Sequence, residues 1–183
     1  MPTWAKTAIL TLAALLLGLA AAPPSRSQEV ALEDFGGTWQ FNRTRRDLRD
    51  LEEGIDRVAD QLNIFIREIA RGEMRRRIQP EGRVRFAIQS ETRATIAVDD
   101  WGPHAFELGG APRSVRGPNG DSIRVGLAFR NGQIVHRELH GQGHRTNVFA
   151  LSPDGTQLTM NASIGSDQLP DQIRYRLTYR RLR

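Results

Sequence analysis

The chain has 183 residues and no cysteine, so neither a disulfide scaffold nor thiol chemistry is open to it. Apolar residues make up 39% of it, enough for one modest core, and its formal charge is +5 from 26 basic and 21 acidic residues. The two signs are interspersed apart from Arg75-Arg76-Arg77 and Arg180-Arg181-Leu182-Arg183. Those clusters read as solvated edges and not as a track for phosphates, so nucleic acid is excluded as an expected partner.

Met1 to Ser27 reads as a bacterial Sec-type secretory signal. Lys6 supplies the positive start, and Ala8 to Ala22 is an apolar run shorter than the roughly 20 residues that a bilayer span needs. Cleavage is expected after Ala21 or after Ser27, and the alternative is an uncleaved anchor. No cysteine follows the run, so no lipid anchor is expected. The expected product is a periplasmic or secreted protein of one domain, 28–183, without an integral membrane span. Removal of Lys6, the only lysine, and Arg26 leaves 24 basic residues against 21 acidic ones, or +3.

The mature chain opens on Phe35-Gly36-Gly37-Thr38-Trp39-Gln40-Phe41-Asn42, where Trp39 and Phe41 share one face of a first strand. Leu48, Leu51, Ile55, Val58, Leu62, Phe65 and Ile69 then recur at steps of three and four, which predicts one long helix over 47–71. Asp47 is the expected N-cap and Gly72 the expected C-terminal stop, with Gly54 a point at which the segment could divide in two. A β-meander follows. Met74 and Ile78 mark a strand, then Val84, Phe86 and Ile88, then Ala94, Ile96 and Val98. Two short strands carry Phe106 with Leu108, and Val115. Ile123, Val125, Leu127 and Phe129 alternate with Ser122, Arg124, Gly126 and Ala128 up to Asn131-Gly132, a pair suited to a tight hairpin turn. Gly141-Gln142-Gly143 and Ser152-Pro153-Asp154-Gly155 close the next two turns, and Ile173, Tyr175, Leu177 and Tyr179 line the last strand. The expected fold class is mainly β: about ten antiparallel strands in an up-and-down barrel or strongly curved sheet, with one helix between the first two strands.

This layout resembles the calycins, the lipocalin and fatty-acid-binding protein group. Gly37-Thr38-Trp39 looks like their first-strand Gly-x-Trp signature, the helix after strand one is similarly placed, and Arg174-Tyr175-Arg176-Leu177-Thr178-Tyr179-Arg180 matches their basic final strand. The resemblance implies a barrel with an apolar cavity. Arg174 and Arg176 alternate with the apolar face, so the last strand offers no inward arginine for a carboxylate.

For chemistry, the chain has no Gly-x-Ser-x-Gly elbow and no glycine-rich phosphate loop before a helix, and no catalysis or cofactor is expected. His104, beside Trp101, reads as an exposed loop residue. Trp39, Phe41, Phe86, Phe129, Tyr175 and Tyr179 are the candidates for lining a pocket, against a simpler role as core filling. His136, Glu138 and His140 share a strand face, and His144 is expected nearly opposite His140 across the turn. These four could hold a zinc-like ion, or could form the solvent face of a hairpin opposite Val135 and Leu139. The expected function is non-catalytic binding of a small apolar or amphipathic molecule. The alternatives are an envelope interaction or structural module with a filled barrel, meeting a protein partner through helix 47–71, and a metal-binding protein.

Overall fold

The computed structural model describes residues 30–182, and the expected export segment lies outside them. Ten strands form one antiparallel sheet: β1 (Gly37–Phe41), β2 (Arg83–Ser90), β3 (Arg93–Val98), β4 (Trp101–Glu107), β5 (Arg113–Arg116), β6 (Ser122–Arg130), β7 (Gln133–His140), β8 (Gly143–Leu151), β9 (Gln157–Ser166) and β10 (Ile173–Leu182). Their order is β4-β3-β2-β1-β10-β9-β8-β7-β6-β5. The first strand thus pairs with the last, Phe41 standing opposite Tyr179. The sheet curls until β4 approaches β5 and β6. The remaining gap is bridged by the Gly109 amide on the Leu127 carbonyl at 2.8 Å and by Trp101 Nε1 on the Arg116 carbonyl at 2.7 Å. The Arg113 guanidinium also lies 4.8 Å above the Phe106 ring. Near closure leaves little backbone edge for another chain to pair with.

One end of the barrel is plugged. A 3-10 turn, Leu32–Phe35, places Phe35 edge-on against Phe86 and Phe129, at 6.3 and 6.0 Å between centroids. Trp39 is fully buried beside it, donates from Nε1 to the Phe35 carbonyl at 2.9 Å, and is covered by the Arg181 guanidinium 4.4 Å from its ring. Ile134, Phe149 and Met160 complete the packing at this end.

The insertion between β1 and β2 is two helices, not one: α1 (Arg45–Ala59) and α2 (Ile64–Arg77). The break falls at 60–63, where the Asn63 side chain caps α2 by accepting from the Phe65 amide at 3.0 Å. The expected stripe therefore ends with α1, and Phe65 and Ile69 face outward, 86% and 76% exposed. α2 runs on through Gly72 and takes in Met74, a helical residue and not the strand residue that its spacing to Ile78 predicts. Thr44 rather than Asp47 caps α1, accepting from the Asp47 amide at 3.1 Å.

α1 covers the part of β10 that β1 is too short to pair. The Asp47 carboxylate accepts from Thr178 Oγ1 at 2.6 Å, and Asp50 accepts from the Arg176 amide. Next along, Gly54 does not break the helix but lets it touch the strand: a Cβ there would stand 2.4 Å from the Arg174 carbonyl oxygen. Alanine has the higher helix propensity, by about 1 kcal/mol. Gly54→Ala is nevertheless expected to destabilise by about 1–3 kcal/mol, because a backbone carbonyl cannot rotate away as a side chain can. Urea unfolding measures this, and an unchanged or raised midpoint would show that α1 is free to lift off β10.

Candidate functional site

The end of the barrel under the helices is built differently from the plugged end. Inward positions on β7 and β8 carry charge: Glu138 and Arg145 are cross-strand partners, as are His136 and Asn147. Arg145 is the hub of a buried polar cluster. It forms an ion pair with Glu81, donates from Nη2 to the Tyr175 hydroxyl at 2.9 Å, and donates from Nε to Asn147 Oδ1 at 3.0 Å. Glu81 lies between α2 and β2 in a segment fixed from both sides. Asp99 accepts from the amides of Gly82 and Arg83 at 3.1 and 2.7 Å, while Gln40 donates to the Gly82 carbonyl at 2.7 Å. Glu138 accepts from His140 Nε2 at 3.1 Å and stands 3.6 Å from His136 Nδ1, too far for a hydrogen bond.

Burial sets the electrostatics. It pushes the Glu81 carboxyl above its ordinary range, against the pull of Arg145. It pushes the Tyr175 hydroxyl up as well. His136, fully buried, is pushed down to about 4 and is neutral at pH 7. Glu138 is raised by burial but lowered further by the His140 hydrogen bond and neighbouring positive charge, and ends below the usual carboxylate range. The same hydrogen bond raises His140. Three groups in and around the cluster keep polar atoms with no hydrogen-bond partner in the protein: Glu81 at Oε2, His104 at Nε2, and His136 at both ring nitrogens.

Two cavities meet at this cluster. The first, of about 870 Å³, lies between Glu81, Trp101, His104, Arg116, Glu138 and Arg145. The second, of about 650 Å³, runs beneath α2 and is largely apolar, with Leu62, Ile66, Met74, Ile164, Leu169 and Ile173 on its walls. Glu138 and Arg145 line both. The arrangement can take a molecule with a polar end at the cluster and an apolar body under the helix.

The aromatic candidates fall elsewhere. Trp39, Phe41, Phe86 and Tyr179 are buried in the packed core, Phe129 rests on Phe35, and Tyr175 enters the site only through its hydroxyl on Arg145. None of the six lines either large cavity. The histidine candidates divide. His136 and Glu138 face inward, because β7 is in register with β6 so that His136 stands opposite Leu127, whereas the His140 side chain, on the same face at the strand end, is 40% exposed. His144 does not stand opposite His140. The turn is the two-residue Gly141-Gln142, so His140 pairs with Gly143 and His144 with Leu139. A shift of one residue turns His144 to the other face of β8, where its Nε2 lies 3.4 Å from Gln172 Nε2, and at the strand end it still borders the second cavity with Glu138 and His140. Among the described residues no group of three or more His, Asp or Glu is placed to hold a metal ion, nor is any helix long and apolar enough to cross a membrane. Arg174 and Arg176 point outward as expected. The inward arginine comes from β8, as Arg145, and Glu81 joins it from a Pro-Glu-Gly stretch that reads only as a turn.

Comparison with protein-family models finds no match for the sequence, and a search of curated proteins finds none. Solved structures do match. Echinococcus granulosus fatty-acid-binding protein 1 is similar at 14% identity and a TM-score of 0.51, over 83% of this chain and 100% of its own. Caenorhabditis elegans lipid binding protein 8 is similar at 13% and 0.51, over 84% and 99%. The wild-type fluorescent protein UnaG is similar at 13% and 0.50, over 82% and 98%. Identities this low speak to the fold alone. Taken with the ten-stranded, nearly closed barrel and the helices inserted after its first strand, they show that the chain has a calycin-like fold, that of the lipocalin and fatty-acid-binding protein group.

Proposed function

We propose that the chain is an exported, non-catalytic binding protein that holds a small amphipathic molecule in the helix-covered end of its barrel. The observation that carries this reading is the junction of two cavities, about 870 and 650 Å³, at one buried charged cluster. Ligand sites typically take about 300–1,000 Å³ and combine apolar walls with a few fixed polar groups. The similarity in fold to proteins named for fatty-acid and lipid binding supports the same reading. The proposed export rests on the sequence of residues 1–27, and finding Met1–Ala21 retained in the intact mass of the exported protein would refute it.

The test is a titration with Nile red, an uncharged dye that brightens in apolar surroundings. Wild-type protein is expected to bind it saturably. Ala70→Trp, at the edge of the core on the helix that roofs the second cavity, is expected to weaken binding at least about tenfold. The protein-partner alternative rests on a different observation, the exposure of Ile64, Phe65 and Ile69 on α2. It expects no saturable dye binding, or binding that Ala70→Trp leaves unchanged.

A further inference from the structure

The two cavities meet at one pair of opposite charges. Glu138 on β7 and Arg145 on β8 are cross-strand partners, and both line both cavities. Each keeps one atom free at the junction. Arg145 commits Nη2 to Glu81 and Tyr175 and Nε to Asn147, which leaves Nη1 without a bond among the described residues. Glu138 accepts at Oε2 from His140, while Oε1 lies 3.6 Å from His136 Nδ1, too far for a bond. The two side chains are 19% and 14% exposed. Neither free atom is sealed off, in contrast to Glu81 Oε2, which is buried away from both cavities.

A head of one sign meets one of these atoms and opposes the other. A carboxylate would accept from Arg145 and repel Glu138, and an ammonium would do the reverse. A zwitterion matches both, but two ions must then shed their water to enter. An uncharged group with a donor beside an acceptor answers both without that cost, and hydrogen bonds to charged partners are the stronger kind. The position of the pair narrows the group further, because it sits between the cavities and not at the end of one. On one side Leu62, Ile66, Met74 and Ile173 wall an apolar space. On the other, Asp100, His104, Arg116 and Asn119 wall a polar one. A ligand that fills both spaces therefore carries the group inside the molecule, with an apolar arm and a polar arm leaving it. A secondary amide has its N–H and its C=O on adjacent atoms and continues in both directions, which a terminal carboxylate does not.

We infer that the ligand is an N-acylated polar amine. Its acyl chain runs under α2, its amide carbonyl accepts from Arg145 Nη1, its amide N–H donates to Glu138 Oε1, and its polar part occupies the first cavity. This rests on the binding reading above and names the ligand class for that site.

Calorimetric titration of the purified protein at pH 7 tests it with N-dodecanoylglycinamide, the ester counterpart in which an oxygen replaces the acylated N–H, and dodecanoate. The first two differ only in the donor to Glu138. The amide is expected to bind at least about tenfold more tightly than the ester, which sets a lone pair against the Glu138 carboxylate. It is expected to exceed dodecanoate by a similar factor. In Glu138→Gln the ratio of amide to ester affinity is expected to fall to within about threefold of one, because glutamine offers the ester oxygen a donor as well as offering the amide an acceptor. That ratio compares two ligands on one protein, so a general change in folding or binding cancels. An ester as tight as the amide, or a ratio that Glu138→Gln leaves unchanged, would overturn the amide and leave the binding reading standing. Dodecanoate binding most tightly would overturn it in favour of a plain carboxylate at Arg145. Binding of none of the three would overturn the amide and the binding reading together.

Discussion

Arg145→Met is expected to cost the fold about 3–5 kcal/mol, read as a fall in the urea midpoint at pH 7. The guanidinium is the shared partner of Glu81, Asn147 and Tyr175, and it stands across from Glu138 on the neighbouring strand. Without it Glu81 is a buried carboxylate with no positive charge beside it, and breaking one side of a buried ion pair is far more damaging than replacing both. Domains of this size have about 5–15 kcal/mol in all, so the single variant should lie near the edge of folding. Adding Glu81→Gln removes the stranded charge and is expected to restore more than half of the loss. A loss below about 1 kcal/mol for Arg145→Met would mean that water reaches the cluster freely and that the pair is a surface contact.

The second large effect is a dependence on pH. His136 is fully buried, with neither ring nitrogen bonded, and its pKa is pushed down to about 4 from an unfolded value near 6.5. Between those values the unfolded chain holds a proton that the folded chain refuses. Stability from this group is therefore whole above about pH 6.5 and is lost as the pH falls toward 4, by about 3 kcal/mol in total. His140 works the other way. Its folded pKa is raised by Glu138, so its contribution is present at low pH and fades as the pH rises through that value. His136→Leu isolates the first effect, since both proteins keep His140. The variant is expected to be the more stable below pH 6, with the gap widening toward pH 4, and to be at least as stable at pH 7 because it removes an unsatisfied buried group. A gap that does not change with pH would show that His136 titrates in the fold as it does in the unfolded chain.

The strands are legible in the sequence because each carries its own evidence. Alternation from Ile123 to Phe129 and the Asn131-Gly132 turn fix the β6–β7 hairpin without help from elsewhere, and both turn residues take positive φ. The helical insertion is legible as helix but not as two helices. Leu62, Phe65 and Ile69 continue the spacing of α1 across the break, and the local sign of it is Asn63, a good cap that no glycine or proline announces. The site is half legible. That His136, Glu138 and His140 share one strand face follows from alternation, but with Ile134 on that face and Val135 and Leu139 on the other the pattern does not say which face is inward, and their partners are not legible at all. Arg145 looks like any other surface arginine until the Gly141-Gln142 turn is counted as two residues, and a count of three puts His144 beside His140 instead. Glu81 is brought in by tertiary packing after a helix end, which no local pattern records. The aromatic candidates show the converse: their spacing marks the core faithfully, and the core is not where the cavities lie.

A binding protein of this kind carries a molecule in the helix-covered end of its barrel. Native mass spectrometry of the protein isolated gently from the cells or medium that produce it, compared with its denatured mass, measures this directly. A mass excess of a few hundred daltons that disappears on denaturation is expected, the size that cavities of about 870 and 650 Å³ admit. The same species is expected to be missing from Ala70→Trp isolated alongside. A native mass equal to the bare chain, together with failure of the stripped protein to take up an added amphiphile, would contradict the binding reading.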